Sequence, residues 1–427
     1  MPGVRISVDP QEALIDEEVD IRLEGLPPNE RVTIKASVKE GGIPMSSYGC
    51  YTATERGIVS VRDQASLEGT YTGVEPMGLF WSLKWEPSYT RRGRMIKYDV
   101  DTPLIVTLFV IDGHYSWKNL FDPSIKPLAM IEVRRRYKHK SIRRIEVKHG
   151  STRGSLFIPP GHGPFPGVID IMGATGGLLH YRGALLASKG FVVLCLSYYK
   201  YDDLPKKLED ITFDYFIEST EWFLGLPEVK NDGIGIIAMS KGGMFSLLLC
   251  MHFHQIKAVV LSSSVTFVSD YPLKFSKGDI PNALNVVQNI LTTSEGDEIF
   301  DVYQPTDDDF IKVWESSASV LCFVGDDDRC LNPAITERFI QLVPKEHRHR
   351  FQLLRYPDTG HFIDPPYSPC FRTSFHGLSG SVIVWGGSPK GSNLAQEDFW
   401  RRTVDFFSRR LGRGNARAVV PYKSSNL

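Results

Sequence analysis

Apolar residues recur in two different rhythms along this chain. Up to about residue 135, short runs alternate apolar and polar positions: Val4-Arg-Ile-Ser-Val8, Val19-Asp-Ile-Arg-Leu23, Val32-Thr-Ile-Lys-Ala36 and Leu104-Ile-Val-Thr-Leu-Phe-Val110. Turn clusters such as Pro27-Pro28-Asn29-Glu30 and Glu40-Gly41-Gly42 separate them. Short period-two strands with turns at this spacing predict an all-β, immunoglobulin-like antiparallel sandwich over residues 1–140. From about residue 150 the rhythm changes. Near-continuous apolar strands at Pro166–Met172, Phe191–Leu196, Ile234–Met239, Lys257–Ser262, Val320–Val324 and Arg350–Leu354 alternate with helix-like runs. The helices are expected at Leu178–Ser188, Thr212–Leu226, Met244–Cys250 and Gln396–Leu411. Such alternation predicts an α/β domain over residues 150–415, with a mostly parallel sheet covered by helices on both faces. Residues 416–427 are left as a C-terminal tail. The long polar stretch 263–318 between two strands is expected to be a lid or cap.

Chemistry concentrates where strands end. The strand Ile234–Met239 meets Ser240-Lys-Gly-Gly243 and turns at once into a helix. A serine at such a corner is held in a strained backbone pose with its hydroxyl exposed, as in the nucleophile elbow G-x-S-x-G of α/β-hydrolases. Small residues two before and two after the serine let strand and helix approach; here they are Ala238, in place of the usual glycine, and Gly242. The plainer reading of Ser240 is a helix N-cap. Downstream features favour the nucleophile. Gly325-Asp326-Asp327-Asp328 follows one strand, and Tyr356-Pro-Asp-Thr-Gly-His361 follows the next, in the order serine, acid, histidine. Of the 11 histidines, only His361 and His376 lie beyond the last expected strand. His361 has the strand-end context and is the candidate base. Asp328, three residues after Gly325, is the candidate acid, with Asp327 second. An oxyanion hole needs two backbone donors. The Lys241 amide is one candidate. The glycine-rich loop Gly173-Ala-Thr-Gly-Gly177 supplies the other, from Ala174 or Thr175. The Lys241 side chain is read as solvated or paired, with phosphate binding as the alternative.

Composition narrows the partners. The net charge is −1 over 427 residues, so no global field favours nucleic acid or a membrane surface. No apolar window is long enough to span a bilayer. The 6 cysteines form no C-x-x-C pair or zinc spacing, and Cys195, Cys250 and Cys322 sit inside apolar runs as free thiols do in a reducing compartment. No metal or other cofactor is expected. The acidic N-terminal segment reads as neither a secretory signal nor a mitochondrial presequence. The final Ser425-Asn426-Leu427 approximates the S-K-L peroxisomal address without its basic middle residue, which leaves cytosol and peroxisome open and makes an import receptor a candidate partner. The basic stretch 134–148 reads as a solvated linker and edge strand, with docking of anionic substrate groups as the alternative.

Several strings together carry a resemblance. They are Leu156-Phe-Ile-Pro-Pro-Gly161, Gly163-Pro-Phe-Pro-Gly167, Leu196-Ser-Tyr-Tyr-Lys-Tyr-Asp-Asp-Leu-Pro205, Met239-Ser-Lys-Gly-Gly243, Tyr356-Pro-Asp-Thr-Gly-His361, Pro365-Pro-Tyr367 and Val384-Trp-Gly-Gly387. Over nearly its whole length the chain resembles the acyl-CoA thioesterase / bile acid-CoA:amino acid N-acyltransferase family. The resemblance implies a β-sandwich followed by an α/β-hydrolase domain, a triad at Ser240, Asp328 and His361, and acyl transfer from coenzyme A. Members with a serine nucleophile look like hydrolases; members with cysteine there can pass the acyl group to glycine or taurine. Ser240 therefore favours hydrolysis of acyl-CoA to free fatty acid and coenzyme A, with N-acyl transfer to glycine or taurine as the alternative.

Overall fold

The computed structural model describes residues 3–412, so the tail expected at 416–427 lies outside the described residues. The described chain forms two compact units. One comprises residues 3–137 with Pro365–Cys370, and the other comprises Lys138–Asp364 with the chain from Phe371 onward.

The first unit holds two sheets. The larger runs in the order Glu12–Leu14, Ala129–Arg136, Leu104–Asp112, Arg31–Glu40, Ile43–Thr52, Lys84–Trp85, and the smaller in the order Arg5–Asp9, Asp20–Glu24, Val59–Ser60. The period-two pattern has a direct outcome: Val32, Ile34, Ala36 and Val38 are buried while Arg31 and Lys39 are exposed. The basic stretch does not form one solvated linker. Arg134–Arg136 ends the strand Ala129–Arg136, and Arg135 is fully buried, donating to the carbonyls of Ile15 and Glu17. Arg143 and Lys148, in an edge strand of the second unit, pair with Glu228 and Asp202.

The second unit is built on an eight-stranded sheet. Its strands are β1 (Arg143–His149), β2 (Thr152–Ile158), β3 (Phe165–Ile171), β4 (Val192–Ser197), β5 (Val229–Met239), β6 (Ile256–Ser262), β7 (Ser319–Gly325) and β8 (Phe351–Tyr356). They lie in the order β1-β2-β4-β3-β5-β6-β7-β8. β2 is antiparallel to both neighbours, and every later pairing is parallel. β3, β4 and β7 are buried at every position, which accounts for their unbroken apolar runs. The helices are α1 (Tyr181–Ala187), α2 (Phe213–Leu224), α3 (Gly242–His252), α4 (Pro333–Leu342) and α5 (Pro389–Leu411). This is the α/β-hydrolase architecture. Because the central strands are parallel, the segments after β3, β5, β7 and β8 all emerge at one edge, where ligands sit in open α/β sheets.

Three expectations need correction. α5 begins at Pro389 rather than Gln396. The Ser388 side chain caps it by accepting from the Gly391 amide, Pro389 occupies the first turn, and the polar Ser392 and Asn393 are buried. The Gly391-Ser-Asn393 run, ahead of the expected start, thus belongs to the first turns of a capped helix. α1 starts at Tyr181, three residues later than expected. β8 is the last strand of the large sheet but not of the unit: Thr373–His376 and Ser381–Val384 pair antiparallel and join Leu291–Thr292 and Asp297–Glu298 in a small sheet. His376 therefore does end a strand. Strands of two to four residues are too short for alternation to stand out.

Candidate active site

Ser240 occupies the corner between β5 and α3 with φ +50°, in the left-handed region that a non-glycine residue rarely adopts. The helix cap is Lys241, so Ser240 is not the N-cap. The strained pose is bolted in place by three backbone bonds: Ser240 N–H donates to the Ser262 carbonyl, and its own carbonyl accepts from Gly243 and Val265. The requirement for a small residue at 242 is steric, since a Cβ there would lie 2.4 Å from the Ile171 carbonyl oxygen. Ala238 is fully buried between Ile171 and Leu261, so alanine fits where glycine is usual.

The three aspartates after β7 have separate partners. Asp326 forms an exposed ion pair with Arg355. Asp327 accepts from Arg329, Arg372 and the Gly387 amide. Asp328 is buried and meets the histidine: its Oδ2 lies 2.8 Å from His361 Nδ1, while its Oδ1 accepts from the Cys330 and Leu331 amides at 2.8 and 2.9 Å. Both carboxylate oxygens are thereby fixed. Burial of His361 opposes the imidazolium, but the Asp328 carboxylate prevails and holds the His361 pKa well above the ordinary histidine range. The Ser240 hydroxyl forms no hydrogen bond with His361 among the described residues; such contacts are often long without substrate and tighten in the complex.

Gly325 makes this convergence possible. A Cβ there would stand 2.1 Å from the Thr359 carbonyl oxygen. Gly325→Ala is expected to destabilise the fold by about 2–3 kcal/mol through overpacking and to lower activity by displacing Asp328 from His361. A denaturant titration alongside a turnover assay checks both; an unchanged midpoint would refute the steric argument.

The loop after β3 runs past the serine: a Cβ on Gly173 would lie 2.9 Å from Ser240 Cβ. Three of its carbonyls are held by residues at and just after the end of β4. Tyr198 Oη donates to Gly173 at 2.7 Å, Tyr199 Oη donates to Ala174 at 2.7 Å, and Ser197 Oγ donates to Gly177 at 2.9 Å. The amides of Ala174, Thr175 and Lys241 donate to no backbone group among the described residues. Tyr198 and Tyr199 were not singled out as site residues; their signal was the Ser-Tyr-Tyr string after β4.

Other neighbours also escape sequence reasoning. Trp385 stacks on the His361 ring at 5.7 Å, and its carbonyl accepts the His361 amide at 2.8 Å. The Cys330 thiol lies near the His361 side chain, and burial pushes this thiol's pKa up. The Lys241 side chain is buried and paired rather than solvated: it donates to Asp270 at 2.5 Å and to Ser269. Tyr303 donates to the same Asp270 at 2.8 Å, so residues from the 263–318 segment close onto the elbow lysine.

Among the described residues, all 6 cysteines are free, no helix is long and apolar enough to cross a membrane, and no group of three or more His, Cys, Asp or Glu could hold a metal ion. Fold and site define an enzyme of the α/β-hydrolase class.

Comparison with known proteins gives the family. The profile described as BAAT / Acyl-CoA thioester hydrolase C terminal matches residues 211–413, and that of the Acyl-CoA thioester hydrolase/BAAT N-terminal region matches 16–149. The chain is 38% identical over 407 residues to acyl-coenzyme A thioesterase 1 of Homo sapiens, covering 93% of this chain and 94% of that protein. It is 36% identical over 415 residues to the bile acid-CoA:amino acid N-acyltransferase of Mus musculus, covering 95% and 98%. The chain belongs to the acyl-CoA thioester hydrolase/BAAT family.

Proposed function

We propose that the protein is an acyl-CoA thioesterase that releases free fatty acid and coenzyme A through a serine acyl-enzyme. The observation that carries this reading is Ser240, strained at φ +50° on the corner after β5, at the same sheet edge as a buried Asp328–His361 pair 2.8 Å apart. His361 takes the Ser240 proton as the oxygen attacks the thioester carbonyl. Asp328 holds the imidazole with its Nδ1 proton inward, leaving Nε2 as the base, and stabilises the imidazolium. The amides of Lys241 and of Ala174 or Thr175 receive the developing oxyanion. Imidazolium returns the proton to the departing thiolate of coenzyme A, and His361 then activates water for deacylation.

The family relatives include N-acyltransferases, so the acceptor must be argued. An oxygen ester is less open to amine attack than a thioester, and Ser240 therefore favours water. With a fatty acyl-CoA in the presence of glycine or taurine, mass spectrometry is expected to find free acid in large excess over amide. Ser240→Cys is expected to raise the amide share. Amide formation outpacing free acid in the native protein would reverse the assignment, and an unchanged ratio in the cysteine variant would remove the chemical argument. Acyl chain length would be set under the 263–318 segment and is read by a panel of acyl-CoA substrates. For the compartment, a fluorescent fusion with Leu427 free or blocked separates cytosol from peroxisome.

A further inference from the structure

The coenzyme A half of the substrate carries phosphates, and the cations around the site are mostly committed. Lys241 is paired with Asp270, Arg329 with Asp327 and Glu298, and Arg372 with Asp327 and Glu295. Lys200 is different. It is exposed and forms no ion pair among the described residues. Its backbone is fixed in the left-handed region at φ +53°, with its amide donating to the Pro205 carbonyl at 2.8 Å. Its Nζ stands 5.3 Å from the centre of the Tyr199 ring, the same tyrosine whose hydroxyl holds the Ala174 carbonyl. Its Cβ borders Gly176, at 3.0 Å from where a Cβ would stand on that glycine. Lys200 thus flanks the glycine-rich loop that passes Ser240. Its charge is also felt on the histidine side of the site. His376 is held below the ordinary histidine range by burial, then by the nearby charges of His361 and Lys200, and its ring meets Trp385 at 5.5 Å, which in turn stacks on His361.

We infer that Lys200 is an anion-binding residue at the rim of this site and takes a phosphate of the coenzyme A leaving group. The inference rests on the acyl-CoA reading for its ligand. An ammonium fixed at its stem and lacking a carboxylate partner is available to a phosphate without an ion pair first being broken. The left-handed backbone and the packing of Tyr199 hold that stem in place. A solvent-exposed contact of this kind discriminates modestly and weakens with salt.

The test compares one acyl chain carried on coenzyme A, on dephospho-coenzyme A and on pantetheine. In Lys200→Gln, the KM advantage of the coenzyme A thioester over the pantetheine thioester should shrink by about three- to tenfold, and by more in Lys200→Glu. Loss of the effect on dephospho-coenzyme A assigns the 3′-phosphate; its persistence there assigns the diphosphate; either supports the inference. An unchanged advantage in both variants overturns it. Calorimetric binding of free coenzyme A to the native protein and to Lys200→Gln needs no turnover. Equal affinities would reject the rim site even if the enzyme proves an active thioesterase, whereas weaker binding by the variant without thiol release would reject the thioesterase reading and keep the site.

Discussion

Ser240→Ala is expected to lower kcat by about 10⁴- to 10⁶-fold, leaving only what binding and the oxyanion donors contribute. That corresponds to about 5–8 kcal/mol of transition-state stabilisation. The hydroxyl forms no hydrogen bond among the described residues, and the backbone bonds that fix the corner do not involve it. Stability should therefore stay within about 0.5 kcal/mol of the native protein. A fluorophosphonate probe should label the native chain at Ser240 and leave the variant untouched. Labelling elsewhere, or turnover surviving in the alanine protein, would move the nucleophile to another residue.

The next largest effect is expected at Asp328. In Asp328→Asn an amide can donate to His361 Nδ1, which forces the ring proton onto Nε2, where it can no longer accept from a hydroxyl. A loss of about 10³- to 10⁴-fold in kcat/KM is expected. The pH profile carries an independent signature. A base must be unprotonated, and the Asp328 carboxylate keeps His361 protonated to higher pH than an ordinary histidine. In the native protein kcat/KM should therefore rise with pH through a limb lying above about pH 6.5. Asp328→Asn removes the charge that outweighs burial, so the residual activity should show that limb moved to lower pH. Asp327→Asn disturbs ion pairs with Arg329 and Arg372 instead, and should cost far less. If Asp327→Asn proved the more damaging change, the roles given to the two aspartates would be exchanged.

These two residues show how far local order can be read. The corner at Ser240 is a matter of neighbours in the chain: an apolar strand, a small-residue turn and a helix within about a dozen residues. The position of His361 after a strand and a glycine is likewise local. The choice among Asp326, Asp327 and Asp328 is not. It depends on where Arg355, Arg372 and His361 arrive from other parts of the chain, up to 45 residues away. Trp385 against His361 and Tyr199 beneath the glycine-rich loop belong to the same kind. Each is a contact between segments whose own sequences say only that they are buried.

Two rhythms of apolar spacing were enough to give a β-rich first part and a strand–helix second part, because side-chain periodicity follows backbone geometry directly. Their parallel strands in turn imply one edge where the chemistry gathers. Long-range packing alone determined that Arg135 lies buried while Arg143 and Lys148, further along the basic stretch, pair with Glu228 and Asp202, and that Lys241 turns inward to Asp270. It likewise left Lys200 exposed beside the glycine-rich loop, with no ion pair among the described residues. Whether a charge is solvated, paired or unpaired depends on which distant residue reaches it, and a chain written in one dimension does not record that meeting.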